Sequence, residues 1–249
     1  MTDQDISSRA RAGRLASKVA LITGAGSVGP GWGNGRATAV RFAEEGARVF
    51  GVDRDEARMH ETAQRIADAG GTFASASCDV TDSASVAAMV ARCVAEFGRI
   101  DVLVNNVGGS AKGGPVEMTE EVWDAQIDHN LKSVFLVCKH VLPHMLAQGG
   151  GAIVNLSSTS GTRWTGAAQI AYAATKAGVI QFSRVLAVQY AKQGIRVNTV
   201  VPGQLHTPMV EVRLAGQRAG GDVQALLQQR QSRIPLPFLL LLRFPRWRD

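Results

Sequence analysis

The feature that most constrains the fold of this chain is a regular alternation of short apolar runs with longer stretches of helical periodicity. Strands that are apolar throughout and alternate with helices are typical of a parallel sheet covered on both faces. Right-handed crossovers then predict an α/β, doubly wound (Rossmann-type) fold, with a mainly parallel sheet of six to seven strands and helices on both faces. The predicted strands cover residues 18–24, 47–53, 72–80, 100–109, 151–158 and 195–203, and the predicted helices cover residues 36–45, 55–69, 82–97, 119–147, 170–192 and 222–231.

Length and composition favour a single globular domain over residues 1–249. The chain is 45% apolar and 19% charged, and no run reaches the roughly 18 apolar residues of a membrane span. Its N-terminal residues lack the apolar core of a signal peptide. Cys78, Cys93 and Cys138 are widely spaced and odd in number, which is typical of buried thiols and not of disulfides or a zinc site. We therefore expect a cytoplasmic protein without a membrane partner.

The basic charge of the chain is concentrated near its C-terminus. The net charge is +6, and residues 210–249 contain seven arginines but only three acids. The basic residues are not interleaved with aromatic residues as in a nucleic-acid reader, so no nucleic-acid partner is expected.

A glycine-rich stretch, "TGAGSVGPGWGNG" at 23–35, separates the first predicted strand from the first helix. In a doubly wound sheet this turn directs a helix N-terminus at the pyrophosphate of a dinucleotide, and glycines allow the backbone to approach it. The literal pattern GxGxxG begins at Gly24 but is weak alone. Because proline and glycine are poor helix formers, the helix is predicted to begin at Arg36, with residues 33–35 as the turn and 28–32 as an extra excursion.

An acidic residue ends the second predicted strand. Asp53 stands where a carboxylate would bind the ribose hydroxyls of NAD and repel the 2′-phosphate of NADP. Arg54 is the alternative residue for cofactor recognition, since its guanidinium could pair with the 2′-phosphate of NADP. Alternatively, Asp53 and Arg54 bind no cofactor and only form the start of a solvent-exposed turn. The sequence favours NAD, with NADP as the less favoured cofactor.

A tyrosine and a lysine share one face of a predicted helix. Tyr172 and Lys176 are spaced i, i+4. A phenol with a pKa of about 10 is a poor base at neutral pH, and a nearby ammonium would lower that pKa toward the useful range. Ser157 and Ser158 follow the fifth strand, and because side chains alternate along a strand only one of them should face the site.

Taken in order, these motifs identify a family resemblance. With the excursion removed, the glycine stretch resembles the TGxxxGxG loop of the short-chain dehydrogenase/reductase family, and the resemblance continues over most of the chain. The matching motifs are Asp53, "DV" at 79–80, "NNVG" at 105–108, Asn130 in the long helix, "NLSS" at 155–158, "YAATK" at 172–176 and "PGQLHTP" at 202–208.

The resemblance implies an NAD(P)-dependent oxidoreductase that interconverts a secondary alcohol and a ketone. In the family pattern Ser158 orients the substrate oxygen, Tyr172 is the general acid and base, Lys176 also binds the nicotinamide ribose, and Asn130 anchors a proton-relaying water. A small-molecule substrate and a homo-oligomer are implied, and no metal is expected because His140 and His144 lack a third ligand. The cofactor-binding set comprises Gly24, Ser27, Gly33, Asn34, Gly35, Asp53, Arg54, Asp79, Val80, Asn106, Gly108, Tyr172, Lys176, Pro202, Gly203 and Thr207.

The resemblance weakens after the sixth predicted strand. Residues 204–221 are predicted as a substrate loop, but residues 234–249 form an atypical tail that lacks the family's seventh-strand motif. The tail reads as a truncated or altered C-terminus, and its segment "FLLLLRF" at 238–244 is expected to pack against the sheet edge or a partner subunit, which would change the assembly. Two alternative functions therefore stay open: a 3-oxoacyl-thioester reductase, which shares every motif, and a catalytically impaired nucleotide-binding protein.

Overall fold

The computed structural model of the protein describes residues 13–232. Strands and helices alternate along this range as the apolar pattern predicts. In chain order they are β1 (Val19–Thr23), α1 (Asn34–Glu44), β2 (Arg48–Asp53), α2 (His60–Asp68), β3 (Thr72–Ser77), α3 (Ser83–Phe97), β4 (Val102–Asn105), α4 (Glu120–Ile127), α5 (Ser133–Ala147), β5 (Gly151–Leu156), α6 (Ile170–Tyr190), β6 (Ile195–Val200), α7 (Ala215–Ala219) and α8 (Val223–Gln231).

The strands form one parallel sheet in the order β3-β2-β1-β4-β5-β6. The order changes direction between β1 and β4, and in such sheets a ligand crevice opens at the carboxyl ends of the strands at this point. The predicted doubly wound fold is confirmed, with six strands among the described residues.

The core lies in two layers, one on each face of the sheet. β1 is completely inaccessible from Val19 to Ile22. Leu21 belongs to the layer built with α3, α5 and α6, whereas Ala20 and Ile22 belong to the opposite layer with α1 and α2. Alternate residues of one strand thus serve two cores, which is why the predicted strands are apolar throughout.

The first helix begins earlier than the sequence predicts. It starts at Asn34 and not at Arg36, with Gly33 as its N-cap. Helix propensity disfavours glycine at this position, but tertiary packing requires it. A Cβ at Gly35 would lie 1.8 Å from the carbonyl oxygen of Gly24.

Several predicted strands extend too far at their carboxyl ends. The third, fourth, fifth and sixth strands end at Ser77, Asn105, Leu156 and Val200. The apolar and small residues that follow them leave the sheet and form the loops at its carboxyl edge. These loops build the candidate site described below.

The long helix predicted over 119–147 is interrupted by one π-helical turn, Asp128–Lys132, between α4 and α5. Residues 204–221, which the sequence presents as a loop, are helical over 208–219. The predicted tail at 234–249, including the segment at 238–244, lies outside the described residues.

Candidate active site

A cavity of about 490 Å³ opens at the carboxyl edge of the sheet. Its wall combines the loops after β1, β2, β3, β4 and β5, one face of α6 and the segment after β6. Most of the predicted cofactor-binding residues line it: Gly24, Ser27, Gly33, Asn34, Gly35, Asp53, Arg54, Asp79, Val80, Asn106, Gly108, Tyr172, Lys176, Pro202 and Thr207. Asn130, Ser158 and Gly203 are not part of this wall.

The glycine-rich turn is packed so closely that side chains would not fit at three of its positions, Gly24, Gly26 and Gly35. Gly24 has φ +65°, and the side-chain amide of Asn106 donates to its carbonyl oxygen at 3.0 Å. A Cβ at Gly26 would lie 2.8 Å from the carboxylate of Asp53. No side chain caps the N-terminus of α1 and its first turn contains no acid. The free N–H groups and the bare backbone suit a diphosphate group.

The excursion, residues 28–32, is anchored by a buried arginine. Arg36 is 2% exposed, and its guanidinium donates to the Gly31 carbonyl and to the Glu61 carboxylate, both at 2.5 Å. The Arg65 guanidinium lies 4.4 Å from the ring centroid of Trp32, a cation–π contact. The sequence presents Arg36 only as a helix start, and nothing in the sequence pairs it with residues from α2.

The part of the cavity beside the ends of β2 and β3 contains two carboxylates, those of Asp53 and Asp79. Asp53 accepts a hydrogen bond from the backbone N–H of Asp55 at 3.3 Å and forms no ion pair with a described residue. Hydrogen bonds from Thr81, at 2.7 and 2.9 Å, lower the pKa of Asp79, and the positive charge of Arg54 lowers it further. The Asp79 carboxylate is therefore ionised at neutral pH, and both carboxyl groups offer acceptor oxygens to a ligand.

Tyr172 and Lys176 lie together at the floor of the cavity. The Lys176 Nζ is 5.7 Å from the centroid of the Tyr172 ring, and it donates to the carbonyl of Leu156 at 2.8 Å. The lysine side chain is buried, and burial lowers its pKa from 10.5 to about 8. A cation held beside a phenol is the arrangement that favours phenolate.

The two adjacent serines have different partners. Ser157 is buried, and its hydroxyl donates to the Lys176 carbonyl at 2.7 Å. Ser158 is partly exposed and accepts from the backbone N–H of Ser160 at 3.2 Å. The hydroxyl proton of Ser158 is thus available, although Ser157 and not Ser158 contributes to the wall of the cavity.

Asn130 lies within the π-helical turn and is completely buried. Its side chain accepts from the Gly109 N–H at 2.9 Å and donates to the Gly109 carbonyl at 3.0 Å. A Cβ at Gly108 would lie 3.0 Å from both the Asn130 Oδ1 and the Lys176 Nζ. Asn130 therefore fixes the loop after β4 against the lysine. π-helical turns are frequent at functional sites, but the helical pattern of the sequence does not show this one.

Sequence reasoning missed further residues of the wall, among them His129 and Arg213. Burial lowers the pKa of His129, and the positive charges of Lys176, Arg213 and Arg54 lower it further. His129 precedes Asn130 in the π-helical turn, and Arg213 lies between β6 and α7. Their place in the cavity depends on tertiary packing and has no motif in the sequence.

The described residues contain no cluster of His, Cys, Asp and Glu arranged to hold a metal. The ring of His140 is hydrogen-bonded to the Ser83 hydroxyl at 3.0 Å, which links α3 to α5. All three cysteines are free and buried. Among residues 13–232, no helix has both the length and the apolar character needed to span a bilayer.

The class of protein follows from three features together: the order of the strands, the uncapped N-terminus of α1 and the pair of Tyr172 and Lys176. They define a Rossmann-type oxidoreductase. Comparison with known proteins agrees: the sequence model of the short chain dehydrogenase family matches residues 18–218. The chain belongs to the short-chain dehydrogenase family.

Individual relatives match over nearly the whole chain. A crystal structure from Burkholderia xenovorans, assigned to the short-chain dehydrogenases/reductases, is 61% identical with a TM-score of 0.87, and the match covers 92% of this chain and 86% of that one. Oxidoreductase UcpA from Salmonella typhimurium is 39% identical over 224 residues, which is 90% of this chain and 82% of the relative. The 3-oxoacyl-(acyl-carrier-protein) reductase FabG of Thermotoga maritima is 42% identical over 198 residues, which is 80% of this chain and 78% of the relative.

Proposed function

We propose that this protein is an NAD-dependent oxidoreductase that interconverts a secondary alcohol and a ketone. The observation that carries the proposal is the pair of Tyr172 and Lys176, held 5.7 Å apart (Nζ to ring centroid) at the floor of the cavity. A proton carrier beside a buried cation suits the removal and return of a hydroxyl proton.

In the proposed mechanism each residue handles one part of the proton transfer. The available hydroxyl of Ser158 donates to the substrate oxygen, and Tyr172 takes the alcohol proton or returns it to the alkoxide. Lys176 stabilises the phenolate and would also hold the nicotinamide ribose. The bound nicotinamide would accept or supply the hydride. Asn130 acts as a positioning residue, since it fixes Gly109 and the loop beside Lys176.

The residues on the adenosine side support NAD over NADP. Asp53 stands at the carboxyl end of β2 without a described cation partner, so its carboxylate is available to ribose hydroxyls. Arg54, the alternative residue for cofactor recognition, acts electrostatically on Asp79 and His129. Val80, Pro202 and Thr207 complete the wall around the proposed cofactor, with Gly203 in the connecting loop.

The second candidate is a 3-oxoacyl-thioester reductase. It is favoured by the 42% identity to the FabG protein, whose name states this activity. Both candidates use the same proton carrier, so they differ in the substrate alone. The proposed partners are one small-molecule substrate and further copies of this chain.

The test is a substrate panel combined with one conservative variant. The wild type is incubated with NAD or NADP and secondary alcohols, and with NADH or NADPH and ketones or 3-oxoacyl thioesters. Tyr172→Phe should lose at least about 10³-fold in kcat while retaining NADH binding, because it keeps the ring and removes the proton carrier. Tyr190→Phe, at the other tyrosine of the chain, should retain wild-type turnover.

Near-normal turnover in Tyr172→Phe would contradict the mechanism. NADH binding by the wild type without turnover of any substrate in the panel would instead favour the catalytically impaired nucleotide-binding protein.

A further inference from the structure

The excursion at 28–32 touches the helical segment after β6. We call residues 208–219 the lid segment. A Cβ at Gly29 would lie 3.3 Å from both Pro208 Cβ and Val212 Cγ2, and one at Gly31 would lie 4.0 Å from Pro208 Cγ. The excursion is itself fixed by the buried Arg36. The lid segment therefore rests on an anchored support at the edge of the cavity, next to the turn that enters α1.

The lid segment brings a guanidinium into the wall of this cavity. Arg213 lines it together with Ser27, Gly33 and Asn34. Arg213 forms no hydrogen bond or ion pair with any described residue. Its charge nevertheless acts on the His129 ring across the cavity, with those of Lys176 and Arg54. The wall of the cavity carries more basic than acidic side chains, with Arg54, Arg58, Lys176 and Arg213 against Asp53 and Asp79.

A dinucleotide would place a diphosphate with two negative charges at the N-terminus of α1. A helix N-terminus supplies only about half of one positive charge. Arginine presents a planar fork of donors that binds phosphate oxygens in pairs. A guanidinium on the side of the diphosphate that faces away from α1 would neutralise the charge that the helix N-terminus leaves unbalanced.

We propose that Arg213, carried on the lid segment and supported by the excursion at 28–32, clamps the diphosphate of the bound dinucleotide opposite the N-terminus of α1. The inference rests on the proposed nucleotide-dependent function. It assigns to the lid segment a role in holding the cofactor, and to the excursion the role of positioning the lid.

The test measures the binding of fragments by calorimetry and needs no turnover. NADH and ADP-ribose contain the diphosphate, whereas adenosine does not. Arg213→Met should bind NADH and ADP-ribose about tenfold more weakly or worse, as expected for the loss of a charge-assisted hydrogen bond. Its affinity for adenosine should be unchanged. Arg213→Lys should lose less, and Arg92→Met, at an exposed position of α3, should match the wild type.

The supporting role of the excursion is tested by a double-mutant cycle. Gly29→Ala introduces a methyl group against Pro208 and Val212 and should displace the lid segment, weakening ADP-ribose binding severalfold. In Arg213→Met the same change should have a much smaller effect, because the clamp is already absent. Equal effects of Gly29→Ala in both backgrounds would overturn the assigned role of the excursion.

The outcomes separate this inference from the proposed function. If the wild type binds neither NADH nor ADP-ribose, the proposed function itself fails. If the wild type binds both and Arg213→Met binds them equally well, Arg213 is not the clamp. A rise in substrate KM without a change in ADP-ribose affinity would place Arg213 at the substrate instead, and would also overturn the proposal.

Discussion

At the scale of single residues, one carboxylate decides the proposed cofactor preference. Asp53→Ala should weaken NADH binding by about tenfold and narrow the preference over NADPH, because it removes the ribose acceptor and the repulsion of a 2′-phosphate. Dissociation constants for both cofactors provide the measurement. Asp124→Ala, at an exposed site on α4, is the matched control. A wild type that prefers NADPH would show that Arg54 and not Asp53 reads the ribose.

The second residue-scale prediction concerns the buried lysine. Burial lowers the pKa of Lys176 from 10.5 to about 8 in the folded protein. Between these values the unfolded chain binds more protons than the folded chain, so the contribution of Lys176 to stability rises with pH from about 8 to 10.5. The free energy of unfolding of the wild type should therefore increase relative to Lys176→Met between pH 7.5 and 9.5.

Chemical denaturation at the two pH values measures this difference. Lys192→Met, at an exposed position, should show no such change relative to the wild type. A pH-independent difference between the wild type and Lys176→Met would mean that the lysine titrates at its ordinary pKa.

At the scale of elements, the close contact between the glycine turn and α1 predicts a severe effect of one methyl group. Gly35→Ala should lower the free energy of unfolding by about 3 kcal/mol and abolish NADH binding, because its Cβ would meet the Gly24 carbonyl at 1.8 Å. Gly216→Ala, where a Cβ meets nothing within 4 Å, should be neutral. Thermal unfolding and NADH titration compare the two, and a stable Gly35→Ala that binds NADH would contradict the packing.

Elements were predictable from sequence to the extent that a local pattern encodes them. The strands could be predicted because helices cover both faces of the sheet, so that each strand is a continuous run of apolar residues. The predicted ends of several strands were a few residues too late. The predicted start of α1 was two residues too late, since packing of Gly35 against Gly24 overrides helix propensity. The π-helical turn at Asp128–Lys132 has the composition of an ordinary helix and could not be seen.

The same division applies to the site. Most residues carried by family motifs lie in the cavity wall. His129 and Arg213 in that wall were missed, as was Arg36, which fixes the excursion, because long-range contacts give them their positions. A buried guanidinium that fixes a loop becomes recognisable only when its partners on another helix are known.

At the scale of the whole molecule, two helices carry apolar side chains to the surface. Phe135 on α5 is 49% exposed, and Val185 and Val188 on α6 are 53% and 80% exposed. A groove of about 360 Å³ with a mainly apolar wall runs between these helices. Large apolar patches of this kind mark contact surfaces, which supports the proposed homo-oligomer.

The assembly prediction follows from that surface. Val188→Glu should shift the mass measured by light scattering toward the monomer, because it places a charge in the proposed contact. Val116→Glu, at a residue 91% exposed and outside these helices, should leave the mass unchanged.

Deleting residues 236–249 tests the expected role of the tail. A mass and melting temperature unaffected by the deletion would mean that the tail belongs neither to the core nor to the interface.

The reactivity of the three buried thiols can be used to measure how the protein opens. Cys93 and Cys138 are at most 1% exposed, and burial raises the pKa of both to about 12. An alkylating reagent can thus reach them only when α3 or α5 separates from the sheet. Cys78, by contrast, lines the cavity after β3. The rate at which Cys78 is alkylated therefore measures local opening of the cavity, whereas the rates for Cys93 and Cys138 measure separation of the helices from the sheet. One reagent thus distinguishes local opening from global unfolding without an engineered probe.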